Sequence, residues 1–320
     1  MLDWKDKMTR IFSAKSTTDE VLQGLTLSGK RYLVTGVSSG IGIETARALV
    51  AHGAEVVGTA RDVAKARSAT DKAGFELEVI QLDLADLANV RAASTKLVGD
   101  GGTFDGIIAN AGVMATPFGH TVDGFETQFG TNHLGHFVFV NRIASLIRDN
   151  GRLVTVSSNG HRWADVDLAD PNFDYRPYDP WISYGNSKTA VILFAVEFDR
   201  RHRGRGIRAT SLMPGVSHTN LAQHLSQDDL AALGKRIATE LASAGQTFEF
   251  KTIPQVAATS VWAAVVAEGD AIGGHYCQDC QVAPIDDAPG IRIGVKSYAL
   301  DPEQAKLLWA KSEKLVGERF

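Results

Sequence analysis

Short apolar runs alternate with longer amphipathic stretches along most of the chain. Lys30–Thr35 (KRYLVT) reads as a strand, followed by a glycine turn and a helical pattern from Ile41 to Ala51. Glu55–Thr59 and Leu77–Leu82 read as the next two strands. The polar stretch Asp62–Lys72 and the stretch Asp86–Leu97 read as helices, the latter with Leu87, Val90 and Leu97 on one side. Gly106–Ala109 is the expected fourth strand, and a long helix is expected over Asp123–Arg148. Beyond it come a strand at Arg152–Ser157, an apolar helix at Ser183–His202, a strand at Ile207–Met213, a helix at Pro254–Ala267 and a short last strand at Gly274–Cys277. Strands alternating with helices imply right-handed crossovers and a parallel sheet covered on both faces. The expected class is therefore α/β, a doubly wound sheet in three αβα layers.

Residues 1–28 read as a short N-terminal leader with one helix, Thr18 to Leu25, whose first turn holds Asp19 and Glu20. No repeat or low-complexity linker divides the remainder, so 29–320 is expected to be one domain. Two segments break the alternation. One is about 159–182, rich in Asp, Pro, Tyr and Trp; the other is about 217–251, which reads as one or two helices. Long excursions from such a scaffold are commonly functional lids. Each follows a strand end, where open α/β sheets bind ligands.

The 320 residues are 44% hydrophobic and 22% charged, with a net charge of −4 and no basic block. That argues against nucleic-acid and anionic-membrane partners. The first twenty residues mix charges and lack the apolar core of a secretory signal, and no run approaches the roughly 20 apolar residues of a membrane span. Only Cys277 and Cys280 occur, too few for a disulfide framework, so a cytoplasmic setting is expected.

Thr35-Gly36-Val37-Ser38-Ser39-Gly40-Ile41-Gly42 follows a strand and opens a helix. Glycines there permit a tight turn and close backbone approach to a pyrophosphate, while the helix start offers free N–H groups. Alone such a turn can be mere packing, but its strand–turn–helix context favours a Rossmann-type, dinucleotide-binding sheet. At the end of the second strand a carboxylate would accept the ribose hydroxyl of NAD, whereas an arginine would favour a 2′-phosphate. Here Ala60 takes that place, Arg61 follows, and Asp62 reads as the N-cap of the next helix. NADP is favoured, with NAD as the alternative.

Ser183-Tyr184-Gly185-Asn186-Ser187-Lys188 opens the apolar helix. Tyr184 and Lys188, four apart, share a face. A lysine cation near the phenol would draw its pKa down from about 10 towards working pH. Ser157 and Ser158 end a strand, with Ser158 26 residues before Tyr184, and a hydroxyl there can hydrogen-bond a substrate oxygen.

These motifs, from about Leu27 to Cys280, resemble those of the short-chain dehydrogenase/reductase family, in its single-domain branch. TGVSSGIG at 35–42, Asp83 after the third strand, Asn110-Ala111-Gly112 after the fourth, Asn132 in the long helix, and Ser158, Tyr184 and Lys188 run in that family's order. The resemblance implies that Gly36, Ser38, Ser39, Gly40, Ile41 and Gly42 cradle the cofactor, with Arg61 at its 2′ end. It implies that Asp83, with Leu84, meets the adenine, and that Asn110, Ala111 and Gly112 lie over the ribose. Lys188 would bond the nicotinamide ribose, Asn132 would hold a relay water, and Ser158 would orient the substrate oxygen. Tyr184 would be the acid/base, and Pro214, Gly215 and Thr219 would grip the carboxamide. Within the family, the stretches at 110–114, 131–137 and 157–162 are similar to the retinol-dehydrogenase-like group. The membrane-associated ends usual there are not seen. A homodimer or homotetramer through the two long helices is also implied.

The resulting expectation is an NAD(P)-dependent oxidoreductase, chiefly an NADPH-dependent reductase of ketones or aldehydes on an apolar small molecule. The alternatives are an NAD-dependent alcohol dehydrogenase and a catalytically silent nucleotide-binding sensor. An epimerase or dehydratase of nucleotide sugars would show a different glycine pattern and a larger C-terminal half. His133, His136 and His161 suggest metal only weakly, because no carboxylate or cysteine completes a tetrahedral set, so no metal is expected. Cys277 and Cys280 read as buried small hydrophobes. Trp163, Tyr175, Tyr178 and Trp181 form a possible aromatic wall over an apolar substrate.

Overall fold

The computed structural model describes residues 11–217, 221, 225–247 and 249–320. Among them eight strands form one sheet, β1 (Arg31–Thr35), β2 (Glu55–Ala60), β3 (Glu78–Gln81), β4 (Phe104–Ala109), β5 (Ile147–Val156), β6 (Arg208–Met213), β7 (Tyr276–Gln278) and β8 (Gln281–Val282), in the order β3-β2-β1-β4-β5-β6-β7-β8. Neighbours pair in parallel except β7 and β8, which form an antiparallel hairpin at the edge. The chain winds outward from β1 to β3, then crosses back to β4. This reversal opens a crevice at the carboxyl ends of β1 and β4.

The strands are apolar on both faces because helices cover both. Side chains alternate with period two. Leu33, Val57, Ile107 and Leu153 join one core with helices α4 (Leu87–Asp100), α5 (Thr127–Phe129 continued through His136–Arg142) and α6 (Pro180–His202). Tyr32, Val34, Val56 and Val154 join the other with α1 (Thr18–Leu22), α2 (Gly40–Ala51) and α8 (Ile253–Val261). Helix α3 (Val63–Ala73) follows β2, and α7 (Gln227–Ser243) belongs to the second excursion.

The described part of the leader packs on the domain: Val21 and Leu22 are fully buried, and the Thr18 hydroxyl donates to Glu44 at 2.5 Å. Its helix stops at Leu22, earlier than expected, before Gly24 at φ 71.

The long helix also differs from the expectation over Asp123–Arg148. Helix α5 comprises Thr127–Phe129, a π segment Gly130–Gly135 and His136–Arg142. The preceding residues form a turn closed by Gly124 N–H to Thr121 O, and the buried Glu126 carboxylate caps the helix by accepting from Gln128 N and Phe129 N. Ile147 and Arg148 already belong to β5. Helix α6 begins at Pro180, three residues early, because Asp179 accepts from Trp181 N and Ile182 N. Helix α8 ends in a further π segment, Trp262–Val266.

A C-terminal helix, α9 (Pro302–Val316), was not anticipated. Trp309 packs edge-on to Phe137 of α5 and stacks on Phe194 of α6 at 5.8 Å, and Arg201 lies over its indole. Helix α9 thus covers parts of both helices expected to face another subunit. No helix among the described residues is long and apolar enough to cross a membrane.

Candidate active site

The crevice holds a cleft of about 1660 Å³, lined by Gly36, Ser38, Ser39, Gly40 and Ile41 at one part and by Ser158, Tyr184 and Lys188 at another. Gly36 sits at φ 80, and a Cβ on it would meet Ala111 at 3.0 Å. Gly42 lies beneath the turn rather than on the cleft wall; a Cβ there would collide with the Gly36 carbonyl. Ser39 caps α2 through extended backbone but makes no side-chain cap bond. The first N–H groups of α2 are therefore left for an anion, and the glycine turn brings the backbone close to it. This arrangement fits a pyrophosphate.

Ala60, Arg61, Asp83 and Leu84 line the same cleft. Asp62 is the N-cap of α3, accepting from Lys65 N at 2.9 Å, as its position suggested. Asp83 accepts from Ala85 N at 3.0 Å while its own N–H donates to Asn89 at 2.7 Å, so the residue is held in a turn at the cleft edge. Arg61 is exposed at the cleft and makes no ion pair among the described residues. The sequence reading missed Lys65, a second exposed cation on the cleft. Its spacing of four residues from Arg61 was the available signal.

Thr35, at the end of β1, organises the next part. Its hydroxyl accepts from Asn110 N at 2.9 Å and Ala111 N at 3.0 Å, and its carbonyl accepts from the Asn110 amide at 2.9 Å. The same hydroxyl hydrogen-bonds His136 Nε2 at 3.0 Å, while His136 Nδ1 bonds the Asn132 carbonyl at 3.1 Å. The Asn132 side chain grips Val113 on both sides, accepting from its N–H at 2.8 Å and donating to its carbonyl at 3.0 Å. It also donates to Ser187 at 2.9 Å. Gly112 lies between: its Cβ position would stand 3.0 Å from Asn132 Oδ1 and 3.5 Å from Lys188 Nζ. Asn110, Ala111, Gly112, Asn132 and Lys188 are thus brought together. Asn132 itself lies in the π segment Gly130–Gly135, a feature frequent at functional sites.

The two serines ending β5 divide. Ser157 turns inward and donates to the Lys188 carbonyl at 2.9 Å, whereas Ser158 lines the cleft with Tyr184, its hydroxyl accepting from Gly160 N at 3.0 Å. Gly160 lets the tyrosine ring approach the backbone: a Cβ there would lie 2.6 Å from the ring. Burial pushes the phenol up to about 12, with the Ser158 side chain opposing it. The sequence predicts a phenol drawn down by the lysine; instead desolvation of the buried ring raises it. Burial also lowers the Lys188 ammonium to about 8, and its Nζ donates to the Val156 carbonyl at 3.0 Å. The site therefore holds a protonated phenol beside a lysine that titrates near working pH.

Pro214 and Gly215 line the cleft beside this group, and Thr219 lies outside the described residues. Leu230, Leu233, Ile237 and Leu241 of α7 line it too, joined by Ile291 and Ile293 from the C-terminal segment, which sequence reasoning did not single out. Of the aromatic wall only Trp163 lines the cleft. Trp181 packs behind it at 5.2 Å, the Tyr178 hydroxyl turns to Thr116 and Glu126, and Tyr175 is 88% exposed.

The other histidines have structural partners. His133 bonds Ser312 at 2.7 Å, and His161 lies between the Ser158 carbonyl and Lys296 N. Cys277 and Cys280 are buried thiols, raised by desolvation to about 11 and about 12.

The family profile described as short chain dehydrogenase matches residues 30–230. The short-chain dehydrogenase/reductase prx1 of Penicillium roqueforti is 36% identical over 299 residues, covering 91% of this chain and 86% of its own. Human retinol dehydrogenase 13 is 32% identical over 311 residues, covering 91% and 86%. A solved short chain dehydrogenase from Burkholderia cenocepacia J2315, in complex with NADP, is similar with a TM-score of 0.61 at 26% identity, over 80% of this chain and 98% of that one.

Proposed function

The chain belongs to the short-chain dehydrogenase/reductase family, and from that premise we propose that it is an NADPH-dependent reductase of ketones or aldehydes carried on apolar small molecules. The carrying observation is that the Ser158–Tyr184–Lys188 group and the glycine turn at 36–41 open on one cleft. A bound nicotinamide dinucleotide supplies the hydride. The N–H groups at the start of α2 would hold its pyrophosphate, and Lys188 its ribose. Pro214 and Gly215, which line the cleft, would hold its carboxamide together with Thr219.

In this reading Ser158 donates a hydrogen bond to the substrate carbonyl oxygen. Tyr184 Oη then gives its proton to that oxygen as the carbon receives hydride, leaving a phenolate and an alcohol. Burial keeps the phenol protonated, which suits an acid in the reducing direction. The Lys188 cation stabilises the phenolate so formed. Asn132 positions rather than reacts: it fixes the 110–113 loop against Ser187, and its carbonyl side is where a relay water would attach.

Arg61 and Lys65 support NADP, because a 2′-phosphate carries nearly two negative charges and Ala60 presents no carboxylate to repel it. The leucines and isoleucine of α7, with Trp163 and Ile291, support an apolar substrate, as does the likeness to retinol dehydrogenase 13. The same reading takes 29–320 as one catalytic domain working in a reducing cytoplasm. A homo-oligomer, in this reading, associates through faces that α9 leaves open. The test is loss of NADPH absorbance with a graded series of ketones and aldehydes. Turnover that rises with apolar bulk supports the proposal. NADPH binding with no turnover of any carbonyl favours a sensor instead.

A further inference from the structure

Four residues after Ser158, on the 3₁₀ turn Asn159–Trp163, the side chain of Arg162 is fully buried. Its nearest carboxylate, Asp286, stands 3.9 Å away, beyond hydrogen-bond reach. The guanidinium is satisfied instead by backbone. Nε donates to Gly290 O at 2.8 Å, Nη2 to Ala288 O at 2.7 Å and Nη1 to Gly294 O at 3.4 Å. A buried charge persists only when its donors are matched in this way. The 288–294 segment is therefore wrapped around one side chain some 126–132 positions earlier in the chain.

The other side of that segment is held from the second excursion. Glu240 of α7 accepts from Ile291 N at 2.6 Å, and Gln246 accepts from Ile293 N at 2.8 Å. Ile291 and Ile293 themselves line the cleft. The segment is thus a wall pinned between α7 and the turn that leaves Ser158.

We infer that Arg162 is a positioning residue for substrate selection: by gathering the 288–294 carbonyls it sets the wall that Ile291 and Ile293 present to the substrate. This rests on the reductase reading above for its substrate, but not for the tether itself. A lysine cannot replace the fork, since its compact ammonium cannot span three carbonyls at these separations.

The test uses the full chain with Arg162→Lys, comparing kcat and KM for a small ketone and a bulky apolar ketone at saturating NADPH. The expected result is a KM for the bulky ketone raised about tenfold relative to that for the small one, with kcat little changed for either. Hydrogen exchange at the Ile291 and Ile293 amides should quicken. Equal losses for both ketones, or a fall in kcat with KM unmoved, would overturn selection by this wall. Unchanged exchange would overturn the tether. Ile293→Ala, at a position 36% exposed, guards against misfolding and should shift the same KM ratio; an unmoved ratio there overturns the proposal. If the unmodified protein reduces neither ketone, the reductase reading fails, and exchange in Arg162→Lys still decides the tether.

Discussion

The Lys188 ammonium stands 5.6 Å from the centre of the Tyr184 ring, one helical turn away, and donates to the last carbonyl of β5. Strand end and reactive helix are thereby joined at the charge that serves the phenol.

A pH dependence follows. Burial lowers the lysine to about 8, so it is charged below that pH and neutral above it. The cation stabilises the phenolate left by proton donation. Carbonyl reduction should therefore be level at lower pH and decline above about 8 in kcat/KM, which reports the free enzyme. Lys188→Arg, charged at all working pH, should move the decline upward, and Lys188→Met should weaken both rate and cofactor affinity. A decline at the same pH in the arginine variant would assign it to another group.

Cofactor choice gives a second prediction. The kcat/KM for NADPH should exceed that for NADH by about tenfold or more, equal to about 1.4 kcal/mol. Ala60→Asp with Arg61→Leu should reverse the preference. The effects need not add, since both changes act on one phosphate, and Lys65 remains beside it. A tenfold preference for NADH in the unmodified protein would show that Arg61 serves solvent.

Acid should unfold the protein steeply. Burial lowers His133 and His161 to about 3 and His136 to about 4, against 6.5 when exposed. The unfolded chain binds protons that the folded one refuses, so this stability is full above pH 6.5 and is lost as pH falls, down to about 4 for His136 and about 3 for His133 and His161. Each histidine gives a slope near 1.4 kcal/mol per pH unit inside that window, and the three together about 4. Urea unfolding at pH 7 and pH 5 measures it. Equal stabilities at the two values would mean that the histidines do not titrate as buried.

The α/β alternation and the reactive residues were legible because each sits at a strand end or helix start marked by short-range chemistry, as with Thr35-Gly36 and Ser183-Tyr184. Less legible was whatever depends on distant partners. Trp309 and Leu308 look like an ordinary amphipathic stripe until Phe137 and Phe194 receive them. Ile291 and Ile293 line the cleft through distant partners: Glu240 and Gln246 accept from their amides, and Arg162 gathers the carbonyls of Ala288, Gly290 and Gly294 beside them. The π segment at 130–135 has the same apolar spacing as an α-helix, so its register carries no mark in the sequence.

Trp309→Ala tests that long-range packing. The indole is 2% exposed against two phenylalanines and Arg201. Its loss should cost about 3–5 kcal/mol by denaturant unfolding. Turnover should fall as well, because α9 also holds His133, next to Asn132, through Ser312. A cost below about 1 kcal/mol would mean that α9 contributes little to the core.

The most direct measurement is the rate of NADPH-dependent carbonyl reduction by Tyr184→Phe beside NADPH binding by the same variant. The ring stays in place over Gly160 and only the hydroxyl is lost. General acid catalysis typically contributes about 10²–10⁴-fold. The predicted result is a fall in kcat of that order with NADPH still bound. A rate within about a factor of two of the unmodified protein, against that expected contribution, would contradict proton donation by Tyr184.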